Sequence, residues 1–235
     1  MGTAAPTATN MGIRLMNTDS PRANSDLLTM AQWLSPSFPV GAFAYSHGLE
    51  TAVHDGQVRT AKDLSLWLND VLRHGSGWSD AVLLSIAYSA SSAEELTDID
   101  ETARAFQSSF ERLREAERMG AAFAKVTRDV WSLDVPDCLY SVAIGRAAGL
   151  KGINLVEVLG LYLHSFASNM VSAAIRLVPL GQTEGQTVLA GLSPLCAELA
   201  GKAQGASSND LSNSANLSDI AAMRHETLEQ RLFQS

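Results

Sequence analysis

One segment, residues 154–178, restricts the possible folds more than any other part of the chain. Its apolar residues recur at helical spacing, and further apolar residues extend that surface to both sides. The stripe consists of Leu155, Leu159, Tyr162, Phe166, Met170, Ala173 and Leu177. A helix without a polar face has to be surrounded by other elements, so it is predicted to lie at the centre of a bundle. Because Glu157, His164 and Arg176 interrupt it, the segment is a poor candidate for a membrane span.

The remaining periodic segments also repeat at three and four, and no run alternates as a strand would. Capping-box patterns predict helix starts at Thr60, Ser92 and Thr183, the last for a helix running to about Ala203. A short helix over residues 26–34 is predicted ahead of Pro36. The fold is therefore predicted to be all-α, a single-domain bundle of about eight to ten helices.

Composition and length suggest how the chain is divided. With 235 residues it is long enough for one large domain or two small ones. Residues 1–24 contain no apolar core of the length a signal peptide needs and are predicted to form a disordered arm. Residues 25–235 are predicted to form the helical domain. Within it we expect a flexible Ser/Asn-rich loop at 205–216 and a C-terminal helix and tail at 217–235.

The charge and cysteine content exclude several classes of function. A net charge of −8 argues against nucleic-acid binding, which requires clustered Lys and Arg. The two cysteines, Cys138 and Cys196, lie far apart and form no metal-type pair. A reduced, cytoplasmic location is therefore expected.

A loop at residues 35–50 combines helix breakers with aromatic residues. Two prolines and two glycines prevent a helix from running through it, yet it also carries Phe38, Phe43 and Tyr45. Such a loop is predicted to present a surface to a partner or to build a site. Ser46 is predicted to cap the helix that follows it.

Three motifs could serve as catalytic or binding sites, and each also fits a simpler structural role. His47, Glu50 and His54 would share one face of a helix and could bind zinc or nickel, or could act as caps and hydrogen-bonding residues. Ser46 lies in a degenerate nucleophile elbow, but no strand precedes it, so a cap is the better interpretation. Residues 201–205 have phosphate-loop letters in the wrong order.

The sequence context of the other charged residues and histidines favours structural roles. The alternating Glu and Arg residues at 111–118 are typical of a solvated helix face. His74 and His225 stand alone, and His164 is predicted to be a hydrogen-bonded core residue. The sequence thus shows no catalytic set, no cofactor-binding residues and no metal cluster, and it predicts a protein that is not an enzyme.

The C-terminal residues form a second segment with an unexpected composition. Arg224, Glu226 and Arg231 alternate with apolar residues that continue to Phe233. Arg and aromatic residues together are typical of protein–protein interfaces. Docking onto a partner and closing the protein's own core are both compatible with this pattern.

Four blocks in a fixed order resemble the UreF family of urease accessory proteins. They are residues 38–50, with the letters FPVGAFAYSHGLE, Asp80-Ala81, residues 173–186, and residues 224–235, with RHET and RLF followed by Ser235. The resemblance covers about residues 26–235. The chain departs from the family pattern at Ala44, Ser141 and Gln234, where the family commonly has Ser, Pro and Arg.

The resemblance implies an all-helical, cytoplasmic homodimer that takes part in nickel insertion into urease. Such a protein bridges the GTPase accessory protein UreG and the scaffold UreD, also called UreH, on apo-urease, and modulates GTP-dependent nickel delivery. It has no GTPase activity of its own. The alternative is a metal-binding metallochaperone or enzyme that uses His47, Glu50 and His54. Carried over to this chain, the expected partner contacts are Phe38, Tyr45, His47, Glu50, Gln182, Arg224, Glu226, Arg231 and Phe233.

Overall fold

The protein is a helical bundle in the part of the chain that the structure, a computed structural model, describes, namely Met1 and residues 21–235. Ten α-helices and two short 3₁₀ helices, and no strands, occur in this part, which confirms the predicted fold class. The α-helices are α1 (Pro21–Trp33), α2 (Leu49–His54), α3 (Ala61–His74), α4 (Ser76–Tyr88), α5 (Ala93–Ala105), α6 (Phe110–Trp131), α7 (Tyr140–Lys151), α8 (Leu155–Leu177), α9 (Gln182–Ala203) and α10 (Asn216–His225). The 3₁₀ helices are Ala42–Ala44 and Ser208–Asp210.

Helix α8 is the centre of the bundle, as its all-round apolar pattern predicted. It packs against α1, α2, α3, α4, α7 and α9. By length and composition alone α8 could cross a membrane, but 56% of its most apolar window is buried inside the protein. That burial is what a core helix shows when its apolar surface is covered by neighbouring helices.

Small residues let helices α4, α6 and α7 approach closely. A Cβ atom on Gly145 of α7 would lie 2.3 Å from the carbonyl oxygen of Leu84 on α4. A Cβ atom on Gly120 of α6 would lie 1.9 Å from the carbonyl oxygen of Cys138, just before α7. These contacts fix α6 against the core, which matters because α6 carries the charged residues of the site described below.

Several predicted helix boundaries were wrong. Helix α1 begins at Pro21 rather than at residue 26, because proline suits the first turn of a helix, where its missing N–H is not needed. Helix α9 begins at Gln182, where the Glu184 carboxylate accepts the Gly181 N–H at 2.9 Å, so Thr183 is not the cap. The N-terminal caps predicted at Thr60 and Ser92 are confirmed.

The two segments predicted to lack order have different outcomes. Residues 2–20 of the predicted N-terminal arm lie outside the described residues, and residues 21–24 belong to the first turns of α1. The loop at 205–216 contains no α-helix before Asn216, but its backbone is held by the corner between α3 and α4. The Trp78 indole N–H donates to the Asp210 carbonyl at 2.9 Å, and the Ser79 hydroxyl donates to the Ser212 carbonyl at 3.0 Å.

We expect Gly145→Ala to lower the free energy of unfolding by about 1–3 kcal/mol, because the added methyl group meets backbone that cannot move aside. Gly191→Ala is the matched control in α9, since nothing lies within 4 Å of its new methyl group. The control should be neutral or stabilising by up to about 1 kcal/mol. Urea unfolding curves of both variants would measure this, and equal effects would contradict the close approach of α4 and α7.

Candidate functional site

The loop at residues 35–48 folds back onto the bundle instead of projecting from it. Phe38 is buried, with its ring centroid 5.5 Å from that of Phe123. Tyr45 is buried as well, whereas Phe43 is 71% exposed. Gly48 has a φ of 77°, and a Cβ atom there would lie 2.6 Å from the Ala222 nitrogen of α10. The loop therefore requires glycine at this point both for its backbone conformation and for its contact with α10.

The last residues of the chain pair with this loop. The Gln234 N–H donates to the Ala44 carbonyl at 2.8 Å, and the Ser46 N–H donates to the Ser235 carbonyl at 2.7 Å. The Ser46 hydroxyl also donates to that carbonyl, at 2.6 Å, and accepts the Glu50 N–H at 3.3 Å. Ser46 thus satisfies an amide of the first turn of α2, although the formal cap is Gly48. Its hydroxyl is engaged in this structural contact with the tail.

The Glu50 side chain is buried and joins α2 to the C-terminal segment. Its two carboxylate oxygens accept the Leu232 N–H at 2.7 Å and the Phe233 N–H at 3.0 Å. One of them also lies 3.1 Å from Nε2 of His225. His225 is fully buried and its Nδ1 lies 2.7 Å from Glu111, so the expectation that it stands alone was wrong.

Phe233 inserts into the protein next to the aromatic loop. Its side chain is buried, and the Arg176 guanidinium of α8 lies 4.5 Å from its ring centroid. This is within the range of a cation–π contact. The Arg176 guanidinium also donates to the Phe43 carbonyl at 3.4 Å, so α8, the loop and the tail meet at this arginine.

A buried ion pair between Arg112 and Glu115 lies beneath the tail. Both residues are buried, so the expectation of a solvated helix face at residues 111–118 was wrong for these two, whereas Arg114 and Arg118 are exposed as expected. Nε2 of His47 lies 3.0 Å from Glu115, and the Ser235 hydroxyl donates to Glu115 at 2.6 Å. The local charge pattern did not predict this burial, because the partners of Glu115 come from distant parts of the chain.

The ionisation of this cluster follows from its burial and its internal pairing. Burial alone would raise the pKa of Glu115, but the Arg112 guanidinium and the His47 imidazole outweigh it and lower that pKa to about 2. Burial, and then the charge of Arg112, lower the pKa of His47. The lowered pKa favours a neutral His47, whose Nε2 lies 3.0 Å from the charged Glu115 and 3.2 Å from the Arg112 guanidinium.

A small cavity with a mixed polar and apolar lining adjoins the ion pair. It has a volume of about 40 Å³ and is lined by His47, Arg112, Glu115 and also Asp80 and Tyr162. The Tyr162 hydroxyl donates to Asp80 at 2.8 Å, and burial raises the pKa of Asp80. The volume suits a few water molecules but is far below the several hundred Å³ of a small-molecule site.

His47, Glu50 and His54 do not come together, so the metal site considered for them was wrong. His47 precedes α2 with a φ of 54° and faces Glu115, whereas Glu50 faces the tail. His54 is exposed and pairs with Asp55. Within the described residues, no three His, Cys, Asp or Glu side chains are grouped so that they could hold a metal ion.

The predicted partner-contact residues divide into two groups. The first group is largely enclosed by the chain itself, so these residues shape the site from within: Phe38, Tyr45, His47, Glu50 and Phe233. The second group is exposed: Gln182, Arg224, Glu226 and Arg231. In this second group, Glu226 accepts the Phe110 N–H at 2.8 Å, and Arg224 pairs with Asp55.

An open hollow on the surface contains Arg114 and Arg118, which the sequence analysis did not identify as partner contacts. This arginine hollow measures about 320 Å³, lies between α6 and the tail, and is also lined by Arg231, Gln234 and the acidic residues Glu111 and Glu115. Arg118 donates to the Gln234 side chain at 3.2 Å, and Arg114 lies over the Phe110 ring. In the described part of the chain neither has a carboxylate partner. Their i,i+4 spacing on α6 is the signal that could have identified them.

Comparison with known proteins decides the family. The UreF family model matches residues 58–193, which is more than half of the chain. A protein of Ruegeria pomeroyi named urease accessory protein UreF is 49% identical over 209 residues, covering 89% of this chain and 96% of the relative. Proteins of the same name from Roseobacter denitrificans and Cereibacter sphaeroides are 49% and 50% identical over 94% and 89% of this chain. The chain belongs to the UreF family.

The UreF family model ends before the tail and begins after the aromatic loop. The relatives extend the similarity well beyond it, since they cover about nine tenths of this chain. The family resemblance expected from the sequence is thereby confirmed.

We expect Glu115→Gln to destabilise the protein by about 3–5 kcal/mol, because it leaves the buried Arg112 guanidinium unpaired. The double variant Arg112→Met, Glu115→Gln should lose less than the sum of the two single variants. Urea unfolding in a double-mutant cycle would measure the coupling. The exposed pair Lys125–Asp129, cycled through alanine, is the control and should show little or no coupling, because solvent screens it. Additive losses at Arg112 and Glu115 would contradict the buried pair.

The acid dependence of stability should also reveal Glu115. Its pKa falls on folding from 4.5 to about 2, so the carboxylate contributes stability above about pH 4.5 and loses it as the pH falls towards 2. The full contribution is on the order of 3 kcal/mol. We expect the difference in unfolding free energy between the wild type and Glu115→Gln to shrink across this range. A difference that stays constant from pH 5 to pH 2 would show that Glu115 is not held ionised.

Proposed function

We propose that this protein is a non-enzymatic accessory factor for urease maturation. It bridges the GTPase accessory protein UreG and the scaffold UreD, also called UreH, on apo-urease, and it modulates the GTP-dependent delivery of nickel to the urease active site. It acts in the cytoplasm, and nickel is the cargo of the assembly. Membership of the UreF family and the name shared by its relatives support this proposal.

The observation that carries the proposal is the composite surface around the arginine hollow. Three separate parts of the chain line it: the loop with Tyr45, helix α6 with Arg114 and Arg118, and the tail with Arg231 and Phe233. Two apolar side chains lie near these residues in sequence: Phe43, two positions before Tyr45, is 71% exposed, and Leu232, between Arg231 and Phe233, is 66% exposed. Arginines next to exposed apolar side chains are typical of the energetic centres of protein interfaces.

The charge of this surface indicates what it binds. The chain has 25 acidic and 17 basic Lys and Arg residues, so carboxylates are in excess. Arg114 and Arg118 nevertheless have no carboxylate partner in the part of the chain that the structure describes. A partner that supplies carboxylates would complete the hydrogen bonding of these guanidinium groups.

Binding alone is enough for a role in metal delivery. A protein that binds one conformation of a GTPase better than another shifts the population towards the conformation it prefers. The enclosed loop and tail contacts hold the surface in one shape, which reduces the entropy lost on binding.

We expect the double variant Arg114→Glu, Arg118→Glu to lose co-elution with a UreD–UreG mixture in size-exclusion chromatography. Reversing both charges places carboxylates against the acidic groups of the partner. The control is Arg59→Glu, Lys62→Glu, which makes the same change of charge at exposed positions at the start of α3. Circular dichroism should show intact helices in both variants. If the α6 variant co-eluted as well as the wild type does, this surface would not be the binding site. If the wild type bound neither partner, the bridging function would be excluded.

We also propose that the protein is a homodimer and that helix α1 forms part of the contact between the two copies. Leu27 and Leu28 are 53% and 71% exposed, and a shallow hollow of about 220 Å³ separates α1 from Leu161 and His164 on α8. His164 is thus partly exposed, contrary to its predicted place in the core.

We expect Leu28→Arg to convert the dimer to a monomer in sedimentation velocity, because a buried unpaired charge is costly. Leu66→Arg on α3 is the control, since Leu66 is 63% exposed and lies on a different helix. The proposed face would be wrong if the Leu28 variant remained dimeric.

A further inference from the structure

The small cavity beside the Arg112–Glu115 ion pair contains a polar atom that the chain leaves unpaired. Nδ1 of His47 is buried and has no hydrogen-bond partner within the described residues, whereas Nε2 of the same ring lies 3.0 Å from Glu115. The His47 side chain is part of the cavity wall. Because buried polar atoms in proteins are nearly always hydrogen-bonded, this nitrogen needs a partner from outside the described chain.

Other polar groups around the same cavity also lack partners. The hydroxyl groups of Tyr140 and Ser141, the first two residues of α7, and the side-chain amide of Asn169 on α8 form no hydrogen bond in the part of the chain that the structure describes. Polar side chains from the turn before α2, from α7 and from α8 therefore surround one volume. A few polar groups that converge on a cavity are typical of a binding site.

The size of the cavity restricts its ligand to a few atoms. Its volume of about 40 Å³ holds about two or three water molecules, since each needs roughly 10–15 Å³. A buried water molecule typically makes about three hydrogen bonds, and the unpaired groups around this cavity can supply them. A larger ligand would have to displace side chains of the wall.

The charges around the cavity favour a neutral ligand. Arg112 and Glu115 form an ion pair and cancel each other. Burial, and then the charge of Arg112, lower the pKa of His47, and burial raises the pKa of Asp80, so burial opposes a charge on either side chain. Water can donate and accept, so it can pair with Nδ1 of His47 whether that atom carries a hydrogen or a lone pair. An ion lacks this property.

We propose that this cavity is a binding site for a cluster of about two or three water molecules that joins His47 to α7 and α8. The cluster completes the hydrogen bonding of the imidazole and so holds the ring against Glu115. Glu115 also lines the arginine hollow and accepts the Ser235 hydroxyl, so the cluster lies behind the surface that the loop and the tail form. An effect on partner binding rests on the proposed function, but the cluster is a property of the isolated protein.

A crystal structure of the full-length protein, at a resolution that shows ordered water, would test the occupancy of the site. We expect ordered water in the cavity, with one molecule within hydrogen-bonding distance of Nδ1 of His47. A larger or charged molecule in this place, or a cavity without ordered water, would overturn the proposal.

The double variant Tyr140→Phe, Ser141→Ala tests the bridging role, because it removes two hydroxyl groups without removing a hydrogen bond within the described chain. We expect the crystal structure of this variant to lose at least one ordered water. The Ser46 and Gln234 amides, which join the loop to the tail, should exchange with solvent about two- to tenfold faster, the factor for one net hydrogen bond. Unchanged exchange of these amides would show that the cluster does not position the loop.

The matched control is Tyr88→Phe, Ser85→Ala, which makes the same two changes on α4 at residues that do not line the cavity. It should leave the water cluster and the loop and tail amides unchanged, even though it removes the hydrogen bond from the Tyr88 hydroxyl to the Ile153 carbonyl at 2.8 Å. Equal effects of the two double variants would contradict the proposal. All these measurements use the protein without partners, so their failure is distinct from a failure to bind UreD or UreG.

Discussion

Burial of charge on helix α6 is the constraint on which the rest of this site depends. Glu115 lies inside the protein with Arg112 beside it, and neither can be there without groups that complete its hydrogen bonds. Those groups come from the turn before α2 and from the end of the chain, namely His47 and Ser235. The loop, α6 and the tail are therefore held together by the need to satisfy one buried carboxylate.

Glu50, in the first turn of α2, is a second buried carboxylate that joins the tail to the body of the protein. It anchors two amides of the tail and one nitrogen of His225, so the apolar side chain of Phe233 is positioned by polar contacts on its own backbone. Tail docking therefore combines burial of an aromatic ring with hydrogen bonds from the tail backbone to a buried carboxylate. These hydrogen bonds matter because a buried carboxylate without partners is strongly unfavourable.

The sequence predicted the helical fold because that depends on local periodicity. The all-round apolar pattern of residues 154–178 placed α8 at the centre, and the caps at Thr60 and Ser92 marked two helix starts. The site was less predictable. Arg112 and Glu115 look like any solvated pair at i,i+3, and what buries them lies 65 to 120 residues away in sequence. The partners of His225 were hidden for the same reason, since they lie 114 and 175 residues away.

Aromatic composition identified the important loop but could not show which rings face inward. Phe38 and Phe43 occur five positions apart in the same irregular segment, where no helical or strand period fixes the direction of a side chain. Phe38 is buried against Phe123, while Phe43 follows the left-handed turn at Gly41 and faces solvent. Only the three-dimensional path of the loop separates a core residue from a surface one.

The contacts of Ser235 have a consequence for the order in which this structure can form. Its hydroxyl donates to Glu115 on α6, which lies 120 residues earlier in the sequence. The inner carboxylates of α2 and α6 therefore gain their contacts only after distant segments of the chain have met. Non-local contacts of this kind form more slowly than single helices, so the junction of loop, α6 and tail is expected to close late in folding.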